Sequence, residues 1–299
     1  MTDQPDDRGK ALAMLLMGAC VIGVGPILVR LSEAGPAATG FWRLVFALPL
    51  LAIMAQRTGG GVGKAPWAAV LAGVAFALDL SFWHYGIAYT SVAKATVLSN
   101  LTPVLVTAFA WIFLRQRPRR LFVLAVALAV AGAWTMALTK GAGSTGVNPP
   151  LGDALSAATA VWYSLYFLLV ASARQSMSAT RIMFWSTLVG APLMLLAALG
   201  LGEPIIPAGL GGWAACAGLG LMHVAGQGSI AWALGRLPAA TASVVVLVQP
   251  VVAAALGWVL FNELLGTWPA IGGAVALAGV VLAQWASRPR PVEASPVSA

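Results

Sequence analysis

Apolar residues in this chain fall into long blocks joined by short polar links. An α-helix needs about 20 mainly apolar residues to cross the hydrocarbon of a bilayer. Ten blocks meet that need: residues 11–30, 38–56, 67–89, 93–113, 120–139, 152–171, 180–200, 212–233, 239–261 and 269–286. We number them spans one to ten. The pattern predicts an all-α polytopic membrane protein. The longest link, 140–151, is rich in Gly, Ser and Pro and falls between spans five and six.

The blocks repeat. Ala93, Ala95, Val97, Pro103, Val104, Ala108, Trp111, Ala131 and Gly132 recur 147 positions later as Ala240, Ala242, Val244, Pro250, Val251, Ala255, Trp258, Ala278 and Gly279. Alanine and valine matches are cheap in so apolar a chain, but the proline and tryptophan pairs at one offset are not. Phe41, Trp42 and Pro49 likewise recur as Phe184, Trp185 and Pro192, at an offset of 143. The chain reads as one five-span unit written twice. An odd number of spans per unit inserts the copies in opposite directions, the inverted-repeat plan of secondary transporters. The expected organisation is a cytoplasmic tail 1–10, a first repeat 11–139, a periplasmic linker 140–151, a second repeat 152–286 and a cytoplasmic tail 287–299.

Charge fixes the direction. With the N-terminus inside, thirteen Lys and Arg fall in inner loops and tails (Arg8, Lys10, Arg57, Lys64, Arg115, Arg117, Arg119, Arg120, Arg174, Arg181, Arg236, Arg288 and Arg290). Three fall outside: Arg30, Lys94 and Lys140. That bias puts both termini in the cytoplasm. The link after span four carries four arginines, whereas its repeat partner after span nine carries Asn262 and Glu263 and no positive charge. A duplicated loop that faces the other side is expected to lose its arginines. Only 9% of residues are charged and 60% are hydrophobic, with mean hydropathy +0.89. A soluble domain carries about 25% charged residues, so this chain cannot cover a water-facing surface. Its net charge of +8 therefore sets orientation and does not indicate a nucleic-acid partner. The two cysteines, Cys20 and Cys216, lie inside apolar blocks and suggest no disulfide framework.

Arg43 follows Phe41-Trp42 early in span two, and Pro250 is followed thirteen residues later by Glu263. Together with ten spans in two inverted halves, these residues resemble the ten-helix EamA-type branch of the drug/metabolite transporter superfamily over about residues 11–286. The first half keeps the proline spacing but has Gln116 in place of the acid. Within the branch, chain size and the aromatic richness of spans three and six resemble bacterial amino-acid exporters, the aromatic subgroup included. The resemblance implies a transporter, not an enzyme.

Polar side chains inside spans supply the candidate site. A charge at mid-span costs about 2.5–3.5 kcal/mol on insertion scales, so it faces a cavity or a partner. Span three has Asp79, with Trp83 on the same face and His84 and Tyr85 further round. Asp79 receives a substrate ammonium, carries a proton, or satisfies a neighbouring helix through Arg43 or a hydroxyl. His84 is suited to proton exchange near neutral pH, and these readings stay open. Span four aligns Thr96, Ser99, Asn100, Pro103 and Thr107 on one helical face. Asn100 is the ligand candidate there, and Thr96 and Thr107 read as helix-packing residues. Span six carries a stripe of Thr159, Trp162, Tyr163 and Tyr166, of which Trp162 and Tyr163 lie near mid-span. Span eight presents His223 and Gln227, and Gln249 precedes Pro250 in span nine. Trp67, Trp111, Trp134, Trp213, Trp268 and Trp285 lie near span ends, where interface belts form. Gly25, Pro26, Pro103 and Pro250 are the expected hinges, since such positions kink helices.

The sequence thus predicts a secondary transporter exporting small metabolites, amino acids first (aromatic or other neutral), across the inner membrane by alternating access. Asp79 and Gln227 would take the ammonium, Asn100 and Gln249 the carboxylate, and Trp162, Tyr163 and Trp83 the side chain. His84 and His223 would line the same midplane pocket. No cofactor is implied, and two His with one Asp lack zinc-ligand spacing. The partners are a small-molecule substrate and the bilayer; a monomer is compatible with the pattern. Three rivals stand beside this reading. A phosphorylated-substrate carrier wants more basic residues in the spans. A multidrug cation exporter wants an acid in span one. A membrane enzyme wants a motif such as HExxH or GxSxG, and none is present. Glu263 opposes the helix dipole at the end of span nine and is expected to cap span ten through Thr267 or to pair with a loop, and not to bind substrate.

Overall fold

The computed structural model describes residues 5–58, 61–90, 98–115, 117–138, 148–261 and 266–287. The described residues are helical, with no strand. Span one is two helices, Pro5–Ile22 and Gly25–Arg30, broken at Gly23–Val24. Spans two and three run Pro36–Thr58 and Trp67–Tyr89; spans four and five run Thr102–Leu114 and Arg120–Leu138. In the second half, span six is Pro149–Ala173 and span seven Ala179–Gly200. Span eight is Leu210–Met222 and Gly228–Leu234 around a π-helical turn, His223–Gln227. Span nine is Ala239–Val245 and Val248–Phe261, and span ten is Thr267–Ala286. Helices in spans one, two, three, six and seven are long and apolar enough to cross a bilayer; those in four, five, nine and ten are shorter.

Span four differs from its predicted form. The helix from Thr102 starts after a turn at Asn100–Leu101, closed by Leu101 N–H donating to the Leu98 carbonyl at 3.3 Å. Asn100 therefore does not share a continuous helical face with Thr107. Pro103 sits in the first helical turn, where its missing N–H has no partner to lose. Pro250 occupies the matching place in span nine, just after the break at Val246–Leu247. The two prolines, expected as hinges, mark where each helix restarts. Thr96, Lys94, Gln116, Glu263 and most of the linker 140–151 lie outside the described residues.

The packing obeys a two-fold relation that exchanges spans one to five with six to ten. Span five lies on span ten, and span two on span seven. Span three lies on span six, and its counterpart, span eight, lies on span one. All four contacts join one half to the other: three on six is the image of eight on one, and five on ten and two on seven are their own images. Glycines fix the direction: a Cβ on Gly132 would strike the Ala276 backbone, and one on Gly279 would strike the Ala129 backbone. Both pairs are related by the offset of 147, and numbering rises on one helix as it falls on the other. Likewise Gly40 meets Met194 while Gly190 meets Leu44. Equivalent helices run antiparallel side by side, so the five-helix repeats are inverted. Small residues (Ala125, Ala129, Ala276 and Ala283, all buried) let these backbones approach.

The same relation ties the loops. Trp42 Nε1 in span two donates to the Ile205 carbonyl at 2.8 Å, and Trp185 Nε1 in span seven donates to the Val62 carbonyl at 2.8 Å. Trp42 with Trp185, and Val62 with Ile205, are both related by 143. Each half thus straps down the other half's loop, one on each side of the bundle. On one side the strap is reinforced by Glu203, whose carboxylate accepts from Ala37 N–H (3.1 Å) and Ala38 N–H (2.9 Å). These are free donors of the first turn of span two. The Tyr85 hydroxyl also donates to Glu203. On the other side Arg181 Nη2 donates to the Lys64 carbonyl at 2.9 Å.

Four of the six expected belt tryptophans are exposed: Trp67 73%, Trp111 53%, Trp268 64% and Trp285 59%. The other two are half-buried. Trp213 packs edge-on against Trp42 at 4.7 Å, and Trp134 is half-buried against the core. A position near a span end does not place an indole outward when a neighbouring span covers it.

Candidate functional site

Where the two halves meet, five spans converge on one buried polar cluster. Phe76 of span three and His223 of span eight are equivalents at the offset of 147, and their rings lie 5.2 Å apart. They sit where the two-fold relation brings spans three and eight together. Phe76 also packs on Tyr166 at 4.9 Å, and Tyr166 stacks beside Tyr163 at 6.1 Å. The Arg43 guanidinium lies over the Phe76 ring, 5.6 Å from its centroid. A cation over an aromatic face is attracted by the ring quadrupole.

Asp79, one turn beyond Phe76, is 7% exposed, and Arg43 is 5% exposed. They interact through space, each the other's main opposite charge, with no hydrogen bond between them. Arg43 Nε has no hydrogen-bond partner, nor do His84 Nε2, His223 Nδ1 and Gln227 Oε1. Polar groups taken out of water are ordinarily paired, so four orphan atoms in one cluster mark a place built to meet something polar. His223 is oriented by Thr187, whose Oγ1 lies 2.9 Å from His223 Nε2. His84 is oriented by the Pro36 carbonyl, 2.8 Å from Nδ1. The Gln227 side chain lies close enough to Tyr163 to act on its hydroxyl.

The π turn explains how span eight supplies two of these groups. Gly226 faces span one so closely that a Cβ there would meet Ile22, and one on Gly18 would meet the Gly226 carbonyl. The helix widens at this crossing, and such single-turn bulges are frequent at functional sites. His223 and Gln227 are its first and last residues.

Of the residues singled out from sequence, Asp79, Tyr163, His223 and Gln227 come together, with His84 on the span-two side. Trp83 lies beside His84 at 5.1 Å. Trp162 has Phe82 as its ring neighbour, at 6.3 Å. Asn100 and Gln249 lie at the breaks of spans four and nine and make no described contact with the cluster; each carries an unpartnered amide nitrogen. Arg43, Phe76, Tyr166 and Thr187 complete the cluster. The sequence offered a signal for Arg43, as the lone charge in span two, and for Tyr166 in its stripe. Phe76 was signalled only as the repeat equivalent of His223, and Thr187 not at all. Among the described residues no group of three His, Cys, Asp or Glu is placed to hold a metal.

Known proteins agree with this architecture. The crystal structure of another protein superposes with a TM-score of 0.79 at 20% identity, covering 94% of this chain and 99% of that one. That is a likeness of fold. An uncharacterized transporter of Archaeoglobus fulgidus is 26% identical over 274 residues, 91% of this chain and 95% of its own length. The profile of the EamA-like transporter family matches twice, at residues 9–138 and again at 150–285, once on each half. A polytopic bundle of two inverted repeats, matched on both halves by one profile, is a membrane transporter, and the chain belongs to the EamA-like transporter family.

Proposed function

We propose that this transporter exports small metabolites, amino acids first among them, across the inner membrane by alternating access, with both termini in the cytoplasm. One observation carries the substrate reading: Asp79 and Arg43 lie unbonded at the crossing of the halves, beside an aromatic wall of Phe76, Tyr163 and Tyr166. Asp79 takes the substrate ammonium, assisted by the unpartnered Gln227 Oε1. The aromatic faces suit an aromatic or aliphatic side chain and tolerate a nearby cation. Export as the direction follows the resemblance to amino-acid exporters, and the orientation follows the excess of Lys and Arg on one side. The chain breaks at Gly23–Val24 in span one, before Pro103 in span four and before Pro250 in span nine supply points where the halves can rock.

Counterflow in proteoliposomes preloaded with a panel of neutral amino acids tests this. Saturable exchange of labelled aromatic or aliphatic amino acids, lost in Asp79→Asn at normal expression, is the expected result. Absence of flux for every amino acid would transfer the proposal to another metabolite class.

A further inference from the structure

We infer that Arg43 and Asp79 form a clamp for a zwitterion: the substrate carboxylate docks on Arg43 while its ammonium docks on Asp79. The inference rests on the amino-acid reading above and adds which part of the substrate is compulsory. Two opposite charges inside a membrane protein gain most from contact with one another. Here they are within electrostatic reach, yet neither is hydrogen-bonded to the other. The Arg43 guanidinium lies over the Phe76 face, one turn from Asp79, and its Nε has no partner. The fork of a guanidinium matches a carboxylate, and an ammonium would not replace it. Asp79 makes no side-chain hydrogen bond among the described residues and keeps 7% of its surface open.

The surroundings add no third fixed charge. Phe76, Tyr163, Tyr166, Thr187 and Gln227 are neutral groups, and the two histidines are each held by a neutral partner, His223 by Thr187 and His84 by the Pro36 carbonyl, so Arg43 and Asp79 are the fixed positive and negative points of the cluster. A ligand with a single charge would satisfy one and leave the other buried without a counter-charge, which is costly. A ligand with both charges on adjacent atoms of one small head satisfies both. Amines, free acids and phosphate esters fail this test, and α-amino acids pass it.

The experiment compares three series in wild-type proteoliposomes: phenylalanine and leucine, their decarboxylated amines (phenethylamine and isoamylamine), and their deaminated acids (3-phenylpropionate and 4-methylpentanoate). Sites built to bond a polar group reject ligands lacking it by large factors, so amines and acids should each exchange at least about tenfold more slowly than the amino acid. Arg43→Gln should raise the amino-acid KM at least about tenfold and narrow the gap to the amine. Arg43→Lys should recover little of that loss. Amines exchanging as fast as the amino acids would overturn the clamp and leave the amino-acid reading standing. No exchange in any series would overturn both. Because the wild-type comparison needs no variant, a failure of Arg43→Gln to fold does not shield the inference.

Discussion

Asp79 and Arg43 each sit in a helix that has no other charge near its middle, and each is tolerated because the other is there. Removing one partner of a buried pair strands the other, at about 3–5 kcal/mol, whereas removing both is often close to neutral. Arg43→Gln and Asp79→Asn should therefore each lower the Tm of the detergent-purified protein. The double variant should lie nearer to wild type than either single one. Losses that simply add would mean the two charges do not support one another. Sequence made Asp79 visible because an acid in an apolar block stands out. It could not say that Asp79 faces Arg43 without touching it, since that depends on how the guanidinium lies over Phe76. Glu203 was illegible for a related reason. It caps span two from 165 and 166 residues away, and no local pattern announces a cap that the other half supplies.

At the level of the helices, block length and the two offsets located all ten spans, but of the two proline pairs only Pro103 and Pro250 lie beside a break; Pro49 and Pro192 sit inside continuous helices. What they missed was where the helix resumes. Pro103 and Pro250 fall just inside the new helices and not at the kink, so the polar row drawn through Asn100 and Thr107 as one face does not exist. A proline restricts the backbone of the residue before it and constrains the residues after it far less. The π turn of span eight was equally hidden, although Gly226 and Gly228 flank its last residue. The seam between spans five and ten yields the sharpest prediction at this scale. Gly132→Val and Gly279→Val each push a side chain into the other helix's backbone. Overpacking of this kind costs about 1–3 kcal/mol. The two variants should lose similar Tm, because the two-fold relation makes their sites alike. A clear loss in one and none in the other would contradict that relation.

For the whole molecule, the repeat read from nine matched residues became a packing rule: most of the large contacts cross between the halves, and the two-fold relation maps them onto one another. The tryptophan straps make this testable. Trp42→Phe frees the loop at Ile205 and Trp185→Phe frees the loop at Val62, on opposite sides of the bundle. The two substitutions should shift the balance of inward-open and outward-open states in opposite directions, read as spin-label distances across each set of loops. Shifts of the same sign would mean the straps hold the fold and not the gate. The Gly132 seam has one more consequence, and it is a matter of time. Gly132 of span five leaves the ribosome 144 residues before Ala276, the residue of span ten whose backbone covers it. At a synthesis rate of about 5–20 residues per second, that is a wait of roughly 7–30 s. During it the first five helices stand in the membrane with their bare glycine and alanine face uncovered. The protein must be held open by its insertion machinery or by lipid until its own last helix arrives to close it.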